Sequence, residues 1–401
     1  MINTITYNLG TNDMDLFIKN PNNPDHKIIL DKLNLKCKHV HYLEREYAIL
    51  NYDKTKMAGA SEAGASEAGA PDAIAGLFRS AVIRNGKILA FSPPKSMNEC
   101  AFMSQYPPSE CSAEEIIDGT MINLFYDDDH WEISSKSLIG ANCRFFINGN
   151  AKEKETFRSM FFEVCKEIAF DYTTLPKENC YSFVFQHPAN RIVVPINKMK
   201  LYLIAAYSID NYTISKINDF ITDGPILRPK KYNFTSYDDL ESLIMFMNDD
   251  YKEPGIMIYH ESGERTKIRN PNYEFVRGLR GNQPKLQYHY LELRQSGKVK
   301  PYLHYYPEAL TEFTKFKQQI HTFTEKLQSN YVSCYIKKEN PLLIYEDKFR
   351  KHMFNIHQIY KKKAEGSGKI ITKYDIIQYV NTLPPAVLLF TLNYEFNINK
   401  I

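Results

Sequence analysis

A single tryptophan, no Cys-x-x-Cys pair and no long apolar run mark this 401-residue sequence by what it lacks. Its seven cysteines (Cys37, Cys100, Cys111, Cys143, Cys165, Cys180, Cys334) are dispersed. An odd, scattered set argues against a disulfide framework or a zinc ribbon and predicts reduced thiols. The longest apolar run near the end, "PPAVLLFTL", is far too short to cross a bilayer, so no membrane partner is expected. The opening "MINTITYNLGTNDMDLF" has no basic segment followed by an apolar core, which predicts no secretory signal. No Gly-rich phosphate loop and no Ser-His-Asp arrangement stands out. His39 with His41, and His352 with His357, have no third ligand in view, so no metal site is expected. These absences together read as a soluble, intracellular, cytoplasmic chain.

What is present is ordinary in bulk: 43% hydrophobic and 24% charged residues, enough for two or three domains with a sizeable core. The net charge of +3 hides an asymmetry. Residues 276–401 carry 20 Lys+Arg against 10 Asp+Glu, whereas the remainder carries 30 against 37. A basic module joined to a mildly acidic one suggests a polyanionic partner, a lysine-rich solvated surface being the plainer alternative.

The patterning predicts an α+β class: an antiparallel-sheet domain followed by a mainly helical, basic C-terminal domain. Residues 1–57 read as the first part of the sheet domain, 58–75 as a low-complexity loop with a tandem "AGASE" repeat, and 76–275 as its main body. Residues 276–401 read as the helical part. Within the sheet domain "RNGK" signals one hairpin, "DDDH" a second and Ser262–Gly263 a third. "KEKETFRSMFFEVCKEIAF" and "TSYDDLESLIMFMND" have helical spacing, the latter behind cap-like Thr, Ser and Asp. "EALTEFTKFKQQIHTFTEKLQSNYVSCYI", "YEDKFRKHMFNIHQIYKKKA" and "TKYDIIQYVNTL" read as helices punctuated by "AEGSGK" and "LPP".

Against that background the order of several short stretches is informative: "FRS", "SPPK", "IIDG", "SSKS", "SFVFQHPANRIV", "PGIMI" and "KIR". Lys136 lies 17 residues beyond Gly119, and Lys267 lies 12 beyond Gly255. From about Phe78 to Arg269 the chain resembles the ATP-dependent RNA ligases of the T-even bacteriophage type, within the covalent nucleotidyltransferase superfamily. It is also similar to RNA ligases assigned in large DNA viruses. The resemblance implies an adenylation domain in which a lysine amine attacks the α-phosphate of ATP, AMP passes to an RNA 5′-phosphate, and a 3′-hydroxyl seals the strand. It further implies a helical C-terminal domain that engages tRNA.

Matched position by position, the resemblance implies phosphate or nucleotide binding by Arg79, Lys95, Lys136, Lys267 and Arg269. Asp118 would accept from ribose, and Gly119 would allow close approach. The nucleophile position, however, is Ile116, and the two glutamate positions are Val184 and Pro254, with Glu253 displaced by one residue. Met97 replaces an aromatic. Arg191 reads as an anchor for its own turn. No catalytic residue and no metal ligand is therefore expected, and no cofactor is fixed; ATP and Mg2+ enter only if the site is active. The leading expectation is an RNA-ligase-like protein with a degenerate adenylation site that binds RNA ends or tRNA-like structure through a basic cleft and the helical domain. One alternative is an active ligase with a displaced nucleophile, Lys95 or Lys136. Another is a virion structural or assembly protein reusing the fold, with viral proteins as partners and the host cytoplasm or the virion as its place. In "KFRKHMFNIHQIYKKK" cations alternate with aromatics that can stack on unpaired bases, although each helix taken alone reads equally as an amphipathic one.

Overall fold

The computed structural model describes residues 4–10, 12–19, 23, 26–56, 70–145, 155–218, 224–367 and 371–398. The chain divides into two compact units. The first comprises residues 1–144 and 151–277, and the second comprises 145–150 and 278–401.

The strands of the first unit begin with β1 (Thr6–Asn8), β2 (Leu35–Tyr42), β3 (Arg45–Tyr52), β4 (Ala81–Arg84) and β5 (Lys87–Phe91). There follow β6 (Cys111–Glu115), β7 (Thr120–Asp127), β8 (His130–Ser134), β9 (Asn179–Gln186) and β10 (Lys200–Asp210). The last are β11 (Thr213–Lys216), β12 (Lys231–Tyr232), β13 (Gly255–His260) and β14 (Arg265–Arg269). They form three sheets, ordered β1-β11-β10-β9-β7-β8, β12-β6-β13-β14 and β2-β3-β4-β5. Every strand pairing in them is antiparallel. This is the α+β class that the alternation of apolar and polar residues predicts.

Period-two patterning places the core. Phe183 and Phe185 of β9, with Ile122 and Leu124 of β7, pack under helix Phe157–Glu167. The sheet β2–β5 closes over Tyr47, Ile49, Phe78 and Phe91. Helices Glu99–Gln105 and Tyr237–Met247 share a third core with Ile256, Ile258 and Ile268 of β13 and β14. Helix Tyr237–Met247 starts where the cap signal lies. Ser236 Oγ accepts from the Asp239 amide at 3.2 Å, while the Asp239 carboxylate accepts from the Ser236 amide at 2.9 Å. Hydrogen bonds to that carboxylate from the Thr235 amide first and the Ser236 amide second hold the Asp239 pKa down at about 2.

Two expectations differ from what is observed. Residues 57–69 of the low-complexity stretch lie outside the described residues, but Ala70–Leu77 is a helix rather than loop, because Ile74, Ala75 and Leu77 turn toward the β2–β5 core. In the second unit the helix Asp347–Ser367 runs on through Ala364–Ser367, where "AEGSGK" reads as a break. The other helices of that unit include Leu286–Gln295, Leu310–Tyr331, Lys373–Thr382 and Pro385–Leu392, packed around Tyr290, Tyr302, Phe313, Phe323 and Phe349. Among the described residues no helix is long and apolar enough to cross a membrane.

Candidate nucleotide and phosphate site

The stretch "EEIIDG" links two sheets of the first unit: β6 ends at Glu115 and β7 begins at Thr120. Along that crossover opens a cleft of about 660 Å3. Its floor is apolar, built from Ile116, Met121, Val184, Ile204 and Met257, and its wall is cationic. Arg79, Lys95, Lys136, Lys267 and Arg269 all line it, as do Asp118, Gly119, Ile116, Val184 and Met97. Pro254 does not; it is buried behind, its carbonyl accepting from the Asn270 amide at 3.3 Å.

Local geometry explains how distant segments converge. On β14 the side chains of Arg265, Lys267 and Arg269 alternate with buried Thr266 and Ile268, so a period-two strand presents three cations to one face. Asn51 of β3 donates to the carbonyls of Arg79 at 2.6 Å and Lys136 at 3.2 Å, tying the loops that carry those two cations. The Lys95 and Lys136 ammonium groups both lie over the Tyr52 ring, 5.7 and 4.8 Å from its centroid. Arg265 is a strut: it is buried, its Nε donates to the Pro94 carbonyl at 2.8 Å and its Nη2 to the Pro93 carbonyl at 3.0 Å, which fixes the "SPPK" loop. Asn51→Ala is expected to lower the melting temperature of the first unit by a few degrees, through loss of two side-chain bonds worth about 1 kcal/mol each. It should also weaken anion binding several-fold; calorimetry and an RNA titration check both.

Crowding like charges leaves a mark. Burial, followed by the fields of Lys54 and Arg79, pulls the Lys136 amine down to about 8. Burial, followed by Arg269, Arg79 and Arg277, does the same to Lys267, against the opposing pull of Glu274. Arg79 is drawn down to about 10 by burial and Arg265. At neutral pH all three remain mostly protonated.

The carboxylates have other duties. Asp118 is buried; its Oδ2 accepts from the amides of Val193 at 3.0 Å and Val194 at 2.7 Å, and its Oδ1 from the Tyr273 hydroxyl at 3.0 Å. It braces the turn where Arg191 Nε donates to the Val193 carbonyl at 2.9 Å, which agrees with Arg191 as a turn anchor. The approach that Gly119 permits is that of β9: a Cβ there would lie 2.6 Å from the Phe185 carbonyl oxygen. Gly255 has φ +127°, and a Cβ would meet the Ile268 oxygen at 2.2 Å, so only glycine fits the β13–β14 pairing.

The sequence reading missed Lys54, Arg265 and Arg277 as further cations, and Glu115 as an acid, all lining the cleft. The alternation Arg265–Lys267–Arg269 was available as a period-two signal; Lys54 and Arg277 carry none. Glu115 Oε1 accepts from the Lys230 amide at 2.9 Å. Asp118 is engaged through both oxygens and Glu115 through one, and among the described residues no group of three His, Cys, Asp or Glu side chains is arranged to hold a metal ion.

The chain is 31% identical over 123 residues to an RNA ligase of Rhodothermus phage RM378, covering 30% of this chain and 27% of that protein. It is 22% identical over 244 residues to an immediate-early protein ICP-46 homolog of Invertebrate iridescent virus 3, covering 58% of this chain and 51% of that one. The chain thus spans between about a quarter and a half of the lengths of these relatives. Among solved structures, form 2 of an archaeal ATP-dependent RNA ligase is similar with a TM-score of 0.43 at 8% identity, over 80% of this chain and 83% of that one. No protein-family model matches. Over those 123 residues the chain is similar to a phage RNA ligase, the kind of protein that the order of its motifs resembles. Over a longer stretch it is also similar to the iridescent-virus protein.

Proposed function

We propose that this protein grips a phosphorylated RNA end in the cationic cleft without activating it, and that the basic helical unit holds more of the same RNA. One observation carries the reading. Eight cationic side chains line the same cleft as Ile116, and seven of them are left when Arg265 is set aside as a strut. An aliphatic side chain cannot form a phosphoramidate, so the lysyl-adenylate step has no nucleophile at that position. Buried cations that depress each other's pKa are relieved by a polyanion, and together they bring to its phosphates the positive charge that a metal would otherwise supply.

A second reading is favoured by Lys136. With its pKa near 8, roughly a tenth of the amine is unprotonated at pH 7, the form a displaced nucleophile requires. Incubation with α-labelled ATP and Mg2+, then a denaturing gel, separates the two. The expected result is no protein-linked AMP. A labelled band that disappears in Lys136→Arg would establish an active ligase instead, and negligible RNA affinity at low salt would favour a scaffold.

A further inference from the structure

We propose that Tyr335, His357 and Tyr360 of the helical unit form a stacking platform for the bases of single-stranded nucleic acid. The inference rests on the RNA-binding reading above for the identity of the polymer, and on the following geometry for its place.

Helix Leu310–Tyr331 passes directly into a π-helical turn, Val332–Ile336. Such turns are rare and concentrate at functional sites, because the extra residue rotates a side chain out of helical register. Here Tyr335 lies on the His357 imidazole with centroids 4.0 Å apart and planes 16° apart. Tyr360, one turn along helix Asp347–Ser367, lies nearly parallel to the same imidazole at 5.7 Å and 22°. Tyr331 is buried at the inner end of the row, 5.3 Å from Tyr335, whereas Tyr335, His357 and Tyr360 are half-exposed.

His357 makes no hydrogen bond among the described residues, although its Nδ1 is buried. The ring is held by its faces. Burial and the field of Lys361 push its pKa down, which favours the neutral imidazole. Lys361, whose field reaches His357, is exposed, as are Lys338 and Lys362, each within three residues of a ring of the row in sequence. Aromatic faces bordered by exposed ammonium groups match a polymer that alternates bases with phosphates.

The test uses a 5′-hydroxyl oligouridylate of twelve nucleotides with one central 2-aminopurine, so that no terminal phosphate engages the cleft. Binding by the full chain is expected to quench the 2-aminopurine. Tyr360→Ala should weaken affinity about tenfold and abolish the quenching, as expected for one lost base stack, while Tyr360→Phe retains both. A Lys361→Gln, Lys362→Gln double variant should weaken binding and flatten its salt dependence, yet leave quenching at saturation intact. Absence of quenching in the parent protein, equal behaviour of the Ala and Phe variants, or equal displacement by polyglutamate would each overturn the platform. Its failure is distinguishable from that of the cleft. If only the platform fails, a 5′-phosphate still improves affinity without quenching. If only the cleft fails, quenching persists and the 5′-phosphate makes no difference.

Discussion

Raising the pH from 7 to 9 is expected to weaken binding of a 5′-phosphorylated RNA by up to about a hundredfold. The sign follows from proton linkage. In the free cleft Lys136 and Lys267 lose their protons near pH 8, because burial and neighbouring cations destabilise the charged form. A bound polyanion restores them toward the ordinary lysine value of about 10.5. Binding therefore takes up protons between those limits: affinity is complete below pH 8 and falls by up to about one power of ten per lysine at pH 9. Fluorescence anisotropy across the range measures it. Lys136→Arg with Lys267→Arg should flatten the profile while preserving affinity at pH 7, since guanidinium groups do not titrate there. A flat profile in the parent protein would remove the cleft from RNA binding.

Asp118→Ala is the second large effect, and its readout is stability. The substitution leaves two amides and a phenol without their acceptor inside the fold, at roughly 1 kcal/mol or more each, so a loss of about 3 kcal/mol is expected. Urea unfolding would show it as a lower midpoint for the first unit. Asp118→Asn, which keeps one acceptor oxygen, should lose visibly less. Equal stability of parent and Asp118→Ala would mean that the carboxylate is free for a ligand.

Asp118 also marks how far the sequence could be read. "IIDG" identified the crossover correctly, but the carboxylate's partners come from residues 75, 76 and 155 positions away, so nothing local foretold that it would be saturated. The five cations were matched through the order and spacing of the resemblance; Lys267 and Arg269 lie on an alternating strand, whereas Arg79, Lys95 and Lys136 lie on loops beside strands. Asn51 was invisible for the opposite reason: a polar residue in "AILNYDK" looks like a solvent-facing strand position, and its function exists only when the loops after β8 and before β4 meet over it. Pro254 was matched to a glutamate position of the adenylation site and stands behind the cleft. Helix Ala70–Leu77 was lost among small residues, whose weak patterning says little until a core is there to receive Ile74 and Leu77. The π-helical turn has no composition of its own at all.

Residue 116 is held through its main chain: its amide donates to the Gly255 carbonyl at 3.0 Å, while its side chain remains half-exposed in the cleft. Folding is consequently nearly indifferent to what occupies that position. On the reading proposed above, chemistry at this position is separable from the architecture around it, at the level of a single codon.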